Sequence, residues 1–108
     1  MNALKEKLGK RIRELRKGCG LTQEQMAEII GMEPPNISKM ENGLHFPRLE
    51  NIEKMLKIFN IEMRELFDFE HFQPKQKLIK QINDYLKSTD VKNVEFVYKF
   101  VDNLKKYG

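Results

Sequence analysis

The chain has 108 residues, of which 40% are hydrophobic and 33% are charged, and its formal net charge at pH 7 is +4. This length and composition are typical of one compact, helix-rich soluble domain with room for an appendage. Cys19 is the only cysteine, which excludes an intramolecular disulfide and a cysteine-based metal site. No apolar run approaches the roughly 20 residues that span a bilayer, and the N-terminus has no signal-peptide core. We therefore expect a cytoplasmic protein without membrane contact.

The positive charge is concentrated at the N-terminus. The first 20 residues carry seven Lys or Arg against two Glu, a net charge of +5, and the rest of the chain has a net charge of −1. This distribution predicts a basic helix that could face phosphates, although an ordinary solvated helix face explains the same pattern.

Three helices are predicted in the first 41 residues. Leu4, Leu8, Ile12 and Leu15 recur at helical spacing and predict a helix over about 3–18. A second helix over about 23–30 and a third over about 34–41 follow, joined by a tight turn.

Local signals predict where the second and third helices begin and end. Thr22 is a good N-cap and can form a capping box with Gln25. Gly31 ends the second helix, because a left-handed φ costs glycine no strain. Pro34 suits the start of the third helix, and Asn42-Gly43 ends it. Two helices joined by a tight turn, the second of which has a polar outer face, have the geometry that fits the major groove of DNA.

Two further helices complete the first part of the chain. Apolar residues between Leu49 and Phe59 predict a fourth helix, closed by Asn60, and Met63–Phe67 predicts a short fifth helix. The segment 68–73 lacks periodicity and is predicted to be a linker.

The tail is predicted to form two amphipathic helices, over about 75–87 and 91–106. The second of these helices carries more apolar residues than a two-helix hairpin can cover. The five N-terminal helices, by contrast, are expected to cover their own apolar residues by packing on one another. The tail therefore packs back on the N-terminal domain or meets another chain. The residues proposed for dimerisation are Phe96, Val97, Phe100, Val101 and Leu104.

Residues from about Leu8 to Phe67 resemble the lambda-repressor-like helix-turn-helix family, also called the Cro/repressor or Xre family. The resemblance rests on Arg11–Arg16, Gly20–Gln23, Ala27, Gly31, Ile37-Ser38, Glu41–Gly43, Pro47 and Glu65–Phe67. It implies an all-α fold, in which a five-helix DNA-binding domain (1–67) and a linker (68–73) precede a two-helix C-terminal segment (74–108). That segment serves dimerisation or partner binding.

The resemblance also implies roles for single residues. The expected contacts to double-stranded DNA are Pro34, Pro35, Asn36 and Lys39 to bases, and Thr22, Gln23, Asn42 and Arg48 to the backbone. Asn can pair with adenine, and Lys can donate to guanine. Asn36 and Lys39 could alternatively be ordinary exposed helix residues. A partly buried ion pair between Arg16 and Glu41 is expected to hold the third helix.

Several positions depart from the family pattern. Glu33 stands where relatives carry a Ser or Thr cap, and Pro34 and Pro35 offer only apolar contacts. The loop after Gly43 reads Leu44-His45-Phe46 where relatives often carry basic residues, and Arg48 could compensate by reaching a phosphate. We therefore expect binding that depends on phosphates and DNA shape as well as on bases.

Two functions from different classes fit these features. The first is a transcriptional regulator, most simply a repressor that binds an inverted repeat as a homodimer. The alternative is an antitoxin-like module whose C-terminal helices bind a partner protein, with DNA binding for autoregulation. An enzyme is not expected, because no nucleophile–base pair, metal cluster or phosphate-binding glycine loop is evident. His45 and His71 have no nearby carboxylate or cysteine partner arranged for catalysis or for zinc. We expect no cofactor, no metal and no small-molecule effector. The sequence leaves open the operator and the choice between activator and repressor.

Overall fold

The computed structural model describes residues 3–108, so the first two residues of the predicted N-terminal domain lie outside the described part of the chain. The described residues form seven α-helices and no strand, which confirms the all-α prediction. The helices are α1 (Ala3–Gly18), α2 (Gln23–Ile30), α3 (Pro34–Glu41), α4 (Leu49–Phe59), α5 (Met63–Leu66), α6 (Lys75–Ser88) and α7 (Val91–Tyr107).

The chain divides into two compact units, of which the first ends at Phe72 and the second is Gln73–Gly108. The division falls inside the segment 68–73. A core of Leu, Ile and Met side chains from α1 to α5 fills the first unit. The buried hydrophobic residues are Leu8, Ile12, Met26, Ala27, Ile30, Ile37, Met40, Ile52, Met55, Phe59 and Leu66.

The helix ends follow from local chemistry. The Thr22 hydroxyl accepts from the backbone N–H of Gln25 (3.0 Å), and the Thr22 N–H donates to the Gln25 side-chain oxygen (2.9 Å), which completes the capping box. Gly31 ends α2 with φ 75°, and Asn60 ends α4 with φ 55°. Both residues occupy the left-handed region, which Gly adopts freely and Asn tolerates.

Helix α1 approaches the end of α3 closely at Gly9. A Cβ atom added to Gly9 would lie 2.6 Å from the carbonyl oxygens of both Met40 and Glu41. Such a distance is far inside van der Waals contact, so α3 can reach this position only because residue 9 has no side chain. Gly9 thus sets the distance between α1 and the end of the third helix.

The segment after α5 packs on the first unit. Phe69 contacts the core, and its ring centroid lies 6.0 Å from that of Phe67 and 6.4 Å from that of Phe72. His71 Nε2 lies 2.8 Å from Glu14 Oε1 on α1. Residues up to Phe72 are therefore structurally part of the first unit. Glu14 is thus a carboxylate partner of His71 that the sequence did not indicate.

The second unit consists of α6 and α7. Asp90 caps α7 by accepting from the Asn93 N–H (3.1 Å), and the Asn93 side chain donates to the Tyr85 hydroxyl of α6 (3.3 Å). Between the two helices lies a hollow of about 500 Å³. Its lining residues are Gln81, Ile82, Tyr85, Leu86, Val97, Phe100, Val101 and Leu104.

Helices α6 and α7 lie wholly within the described range, and neither contains a buried residue. Phe96 is 74% exposed and Phe100 59% exposed. The surplus of apolar surface is not confined to this unit, however, because Ile29, Leu44 and Leu49 of the first unit are also exposed. The expectation that the N-terminal helices cover all their apolar residues was therefore wrong.

Candidate nucleic-acid interface

Helices α2 and α3, which are joined by a tight turn, each have one side buried in the core and one side exposed. The inner side of α3 is buried through Ile37, Met40 and Glu41, whereas Asn36 and Lys39 are exposed. The major groove of B-DNA is wide enough to admit an α-helix, whose outward polar side chains can then reach the base edges. Helix α3 can therefore present Asn36 and Lys39 to base edges while its other side is held by the core.

A buried ion pair joins α1 to the end of α3. Arg16 Nε donates to Glu41 Oε2 (2.7 Å), and Arg16 Nη2 donates to Glu41 Oε1 (3.1 Å). The side chains are 8% and 1% exposed, respectively. Arg16 Nη1 also donates to the carbonyl of Leu21 (2.7 Å), directly before the N-cap of α2. One guanidinium group thus connects α1, the start of α2 and the end of α3.

Gln23 belongs to the same network, which the sequence did not indicate. Its Nε2 donates to Glu41 Oε1 over 3.0 Å. An amide nitrogen carries two hydrogens, so the second N–H and the side-chain oxygen are available in principle for a phosphate contact. Gln23 is half-buried at the first position of α2.

Six of the expected DNA contacts line two hollows beside α3. The first, of about 460 Å³, lies between the start of α2 and the first half of α3 and brings together Thr22, Gln23, Pro34 and Pro35. The second, of about 560 Å³, is lined by Asn36 and Arg48 among others. Lys39 lines neither hollow.

The remaining expected backbone contacts are polar and exposed. Asn42 Nδ2 donates to Ser38 Oγ (3.4 Å) on the last turn of α3. Arg48 occupies the N-cap position of α4, its side chain is 83% exposed, and its Nη1 lies 3.7 Å from Glu50 Oε1. Glu33 occupies the N-cap position of α3, but within the described structure its side chain makes no capping hydrogen bond. Its carboxylate therefore adds negative charge beside the candidate interface.

The basic character of α1 is weaker at the surface than the residue count indicates. Arg16 is buried and paired, and Arg11 is half-buried, with its Nε donating to the Glu65 carbonyl (3.0 Å) and its Nη1 pairing with Glu14. The exposed basic residues of α1 are Lys7, Lys10, Arg13 and Lys17. Arg11 and Arg16 thus contribute mainly to structure.

The carboxyl group of Glu14 on α1 has a displaced pKa. Partial burial opposes its ionisation, but hydrogen bonds to Arg11 and His71, together with their charges, outweigh burial and hold the pKa of Glu14 below its ordinary value. This ionised carboxylate is well suited to bind His71.

Residues 3–108 contain no cluster of three or more His, Cys, Asp or Glu side chains that could hold a metal ion. In that same range no helix is long and apolar enough to cross a membrane.

Comparison with known proteins identifies the family of this domain. The helix-turn-helix family model HTH_3 matches residues 12–66, just over half of the chain. The chain belongs to the HTH_3 helix-turn-helix family. This result confirms the resemblance to lambda-repressor-like, or Xre, proteins.

Several curated relatives of this family member are transcriptional regulators. An uncharacterized HTH-type transcriptional regulator of Archaeoglobus fulgidus is 37% identical over 60 residues, covering 56% of this chain and 86% of that protein. The cryptic phage CTXphi transcriptional repressor RstR of Vibrio cholerae is 29% identical over 94 residues, covering 87% of this chain and 84% of the repressor.

Other relatives are longer than this chain. The antitoxin PezA of Streptococcus pneumoniae is 30% identical over 78 residues, covering 72% of this chain and 46% of the antitoxin. The HTH-type transcriptional activator BcrR of Enterococcus faecalis is also 30% identical, and the match covers 46% of its length. The chain therefore spans less than half the length of these two relatives.

Two solved structures share the fold. The restriction-modification controller protein C.AhdI of Aeromonas hydrophila is 38% identical with a TM-score of 0.56, covering 60% of this chain and 98% of C.AhdI. A chain of the SinR protein/SinI protein complex is 22% identical with a TM-score of 0.56, covering 92% of this chain and 98% of that chain. The second match establishes likeness of fold alone, and it extends over the C-terminal helices.

Proposed function

We propose that this chain is a sequence-specific transcriptional repressor that binds an inverted-repeat operator as a homodimer, with α3 in the major groove. The observation that carries the proposal is the two-sided α3, which buries Ile37, Met40 and Glu41 and exposes Asn36 and Lys39. Repressor action is favoured by the similarity to RstR, which covers most of both chains.

The proposed contacts divide into two kinds. Asn36 pairs with adenine and Lys39 donates to guanine O6 or N7, while Pro34 and Pro35 contact thymine methyl groups. Thr22, Gln23, Asn42 and Arg48 contact the sugar-phosphate backbone, which sets orientation and carries no sequence information. The Thr22 hydroxyl accepts a capping hydrogen bond and still has its own proton to donate.

Selection of binding sites from random duplex DNA, followed by affinity measurements on variants, tests this division. Lys39→Ala and Asn36→Ala should each weaken operator binding by roughly 1–3 kcal/mol and relax the preference at one base pair. Arg48→Ala should weaken binding to all sequences alike and lower the salt dependence by about one charge. Lys87→Ala, on exposed α6, is the matched control. A Lys39→Ala variant with an unchanged specificity profile would contradict the groove assignment.

The homodimer is proposed to form through the second unit. One recognition helix covers only a few base pairs, so useful specificity requires two half-sites held about one DNA turn apart. Phe96, Phe100, Val101 and Leu104 are each at least 42% exposed, and Val97 lies among them half-buried. Pairing two such faces would remove apolar surface from water at roughly 25 cal/mol per Å².

Sedimentation of the full chain tests the dimer. We expect a dimer at micromolar concentration and a monomer for Phe100→Glu, because a carboxylate in the hollow would have to be desolvated on pairing. Phe46→Glu, at an exposed aromatic residue of the first unit, is the matched control and should still dimerise. A monomeric wild-type chain at micromolar concentration would refute this part of the proposal.

The alternative is an antitoxin-like module whose α6 and α7 bind a partner protein. The similarity to PezA favours it. In that case the wild-type chain should sediment as a monomer, and a protein encoded by an adjacent gene should form a stable complex that Phe100→Glu abolishes. A dimer with no affinity for the neighbouring gene product would contradict this alternative.

A further inference from the structure

We propose that Glu41 is a positioning residue for Gln23: its buried carboxylate sets the orientation of the Gln23 carboxamide, so that the second Nε2 hydrogen is presented to a DNA phosphate. This inference rests on the proposed function. It assigns to the buried ion pair a part in DNA binding beyond that of holding α3.

The geometry around Glu41 determines which end of the Gln23 amide faces inward. An ionised carboxylate can only accept hydrogen bonds. Glu41 Oε1 accepts from Gln23 Nε2 (3.0 Å) and from Arg16 Nη2 (3.1 Å), and Oε2 accepts from Arg16 Nε (2.7 Å). The opposite amide orientation would place the Gln23 side-chain oxygen against the carboxylate, which is repulsive. The nitrogen of Gln23 must therefore face Glu41.

Both ends of the Gln23 side chain are held. Its Cα lies at the first position of α2, directly after the Thr22 N-cap. Its amide is bound to Glu41, whose side chain is 1% exposed and is itself fixed by Arg16. Arg16 Nη1 also donates to the Leu21 carbonyl (2.7 Å), which ties the same network to the backbone just before α2.

The hollow beside Gln23 shows where the second hydrogen can act. Thr22, Pro34 and Pro35 share this hollow with Gln23, between the start of α2 and the first half of α3. A DNA strand that flanks an α3-filled groove would pass this position. Because the side chain is ordered before binding, complex formation does not have to order it, an advantage of about 3- to 10-fold in affinity.

NMR of the side-chain amides in the full-length protein tests the proposal before any DNA is added. One Nε2 proton of Gln23 should exchange slowly with solvent and be well separated in chemical shift from the other. Gln25 is the matched control, since it lies on the same helix and uses its side-chain oxygen, not its nitrogen, in the capping box. In Glu41→Gln the two Gln23 signals should move, whereas those of Gln25 should not. Fast exchange of both Gln23 protons in the wild type, at the rate of Gln25, would overturn the proposal.

Titration with the selected operator separates this inference from the proposed function. The second Gln23 proton should shift on binding. If the duplex binds and the proton does not shift, Gln23 is not a phosphate contact and the positioning role is refuted. If no duplex binds while the amide remains protected, the proposed function itself fails, and this inference fails with it.

A double-mutant cycle distinguishes positioning from mere support of the fold. Gln23→Met should weaken binding to all duplexes by about 3- to 10-fold. The same substitution in the Glu41→Gln background should cost much less, because the oriented amide is already lost. Lys39→Ala should cost the same in both backgrounds. Equal costs of Gln23→Met in the two backgrounds would overturn the proposal, and the wild-type exchange measurement still decides it if Glu41→Gln fails to fold.

Discussion

The two units of this protein are built from similar amphipathic helices but differ in what covers the apolar side. In the first unit, Leu8, Ile12, Met55 and other side chains are at most 7% exposed. In the second unit, every described residue of α6 and α7 remains at least partly exposed. The apolar side of a helix becomes part of a core only where several other helices cover it, and two helices alone can bury little apolar surface. Stability in the first unit is therefore supplied by the chain itself, whereas the second presents a surface suited to association.

The same difference is visible in the ion pairs. Arg16–Glu41 in the first unit and Lys80–Asp84 in the second have nearly equal closest distances, 2.7 and 2.8 Å. Their side chains, however, are 8% and 1% exposed in the first pair and 76% and 59% exposed in the second. Burial, not distance, decides what each pair contributes, because water screens the exposed charges.

The largest effect on stability is expected when one member of the buried ion pair is removed, and the exposed pair provides the comparison. Arg16→Ala should lower the free energy of unfolding of the first unit by about 3–5 kcal/mol, since it leaves the Glu41 carboxylate buried without its partner. Lys80→Ala should cost under about 1 kcal/mol. Urea unfolding followed by circular dichroism measures both.

Tyrosine fluorescence provides the control for this comparison. All three tyrosines, Tyr85, Tyr98 and Tyr107, lie in the second unit. Arg16→Ala should therefore shift the circular-dichroism transition, which reports the helices of both units, more than the tyrosine transition, which reports the second unit. Equal destabilisation by the two substitutions would contradict the assignment of stability to burial.

A smaller effect is expected at the contact between α1 and α3. Gly9→Ala should destabilise the first unit by roughly 1–3 kcal/mol, because its Cβ would lie 2.6 Å from two carbonyl oxygens. Gly18→Ala is the matched control on the same helix, since a Cβ there meets nothing within 4 Å. It should be neutral or stabilising by up to about 1 kcal/mol, the helix preference of Ala over Gly. Thermal unfolding of the two variants measures the difference, and similar stabilities would show that α1 and α3 can separate without cost.

The smallest effect is expected where the segment after α5 meets α1. Glu14→Gln should cost under about 1 kcal/mol at pH 7, because both Glu14 and His71 have 43% of their side-chain area exposed. The folded-state pKa of Glu14 is lowered from 4.5, so its contribution is present above that value and is lost as the pH falls through the folded-state pKa. The difference from wild type should therefore vanish in strongly acidic solution.

Unfolding curves recorded from pH 7 to pH 3 measure this dependence. Glu28→Gln, at an exposed position of α2, is the control and should remain within about 0.5 kcal/mol of wild type. A Glu14→Gln penalty that grows as the pH falls would contradict a stabilising role of the ionised carboxylate.

Features that depend on neighbouring residues were predictable from the sequence. The predicted bounds of α2 and α3, 23–30 and 34–41, agree with those observed. Thr22, Gly31 and Asn60 carry their capping roles in their own side chains and backbone preferences. The Arg16–Glu41 pairing came from the family resemblance, and the structure places these two side chains in contact.

The remaining features depend on side chains that are far apart in sequence. The contact of Gly9 with the end of α3 required the crossing of two helices, although its place in the buried stripe beside Leu8 and Ile12 was a usable signal. The bonds from Gln23 to Glu41 and from His71 to Glu14 span 18 and 57 residues. No periodicity or spacing rule indicates such pairs.

The sequence by itself determined the helices, their ends and the family, because caps, glycine turns and apolar periodicity act within a few residues. Only the tertiary structure decided which polar groups are buried together and which apolar faces are left exposed. Arg16 could serve as a surface charge or a buried partner, and Phe69 as part of a linker or of the core. The packing of helices distant in sequence settled both, since burial is a property of the surroundings and not of the residue.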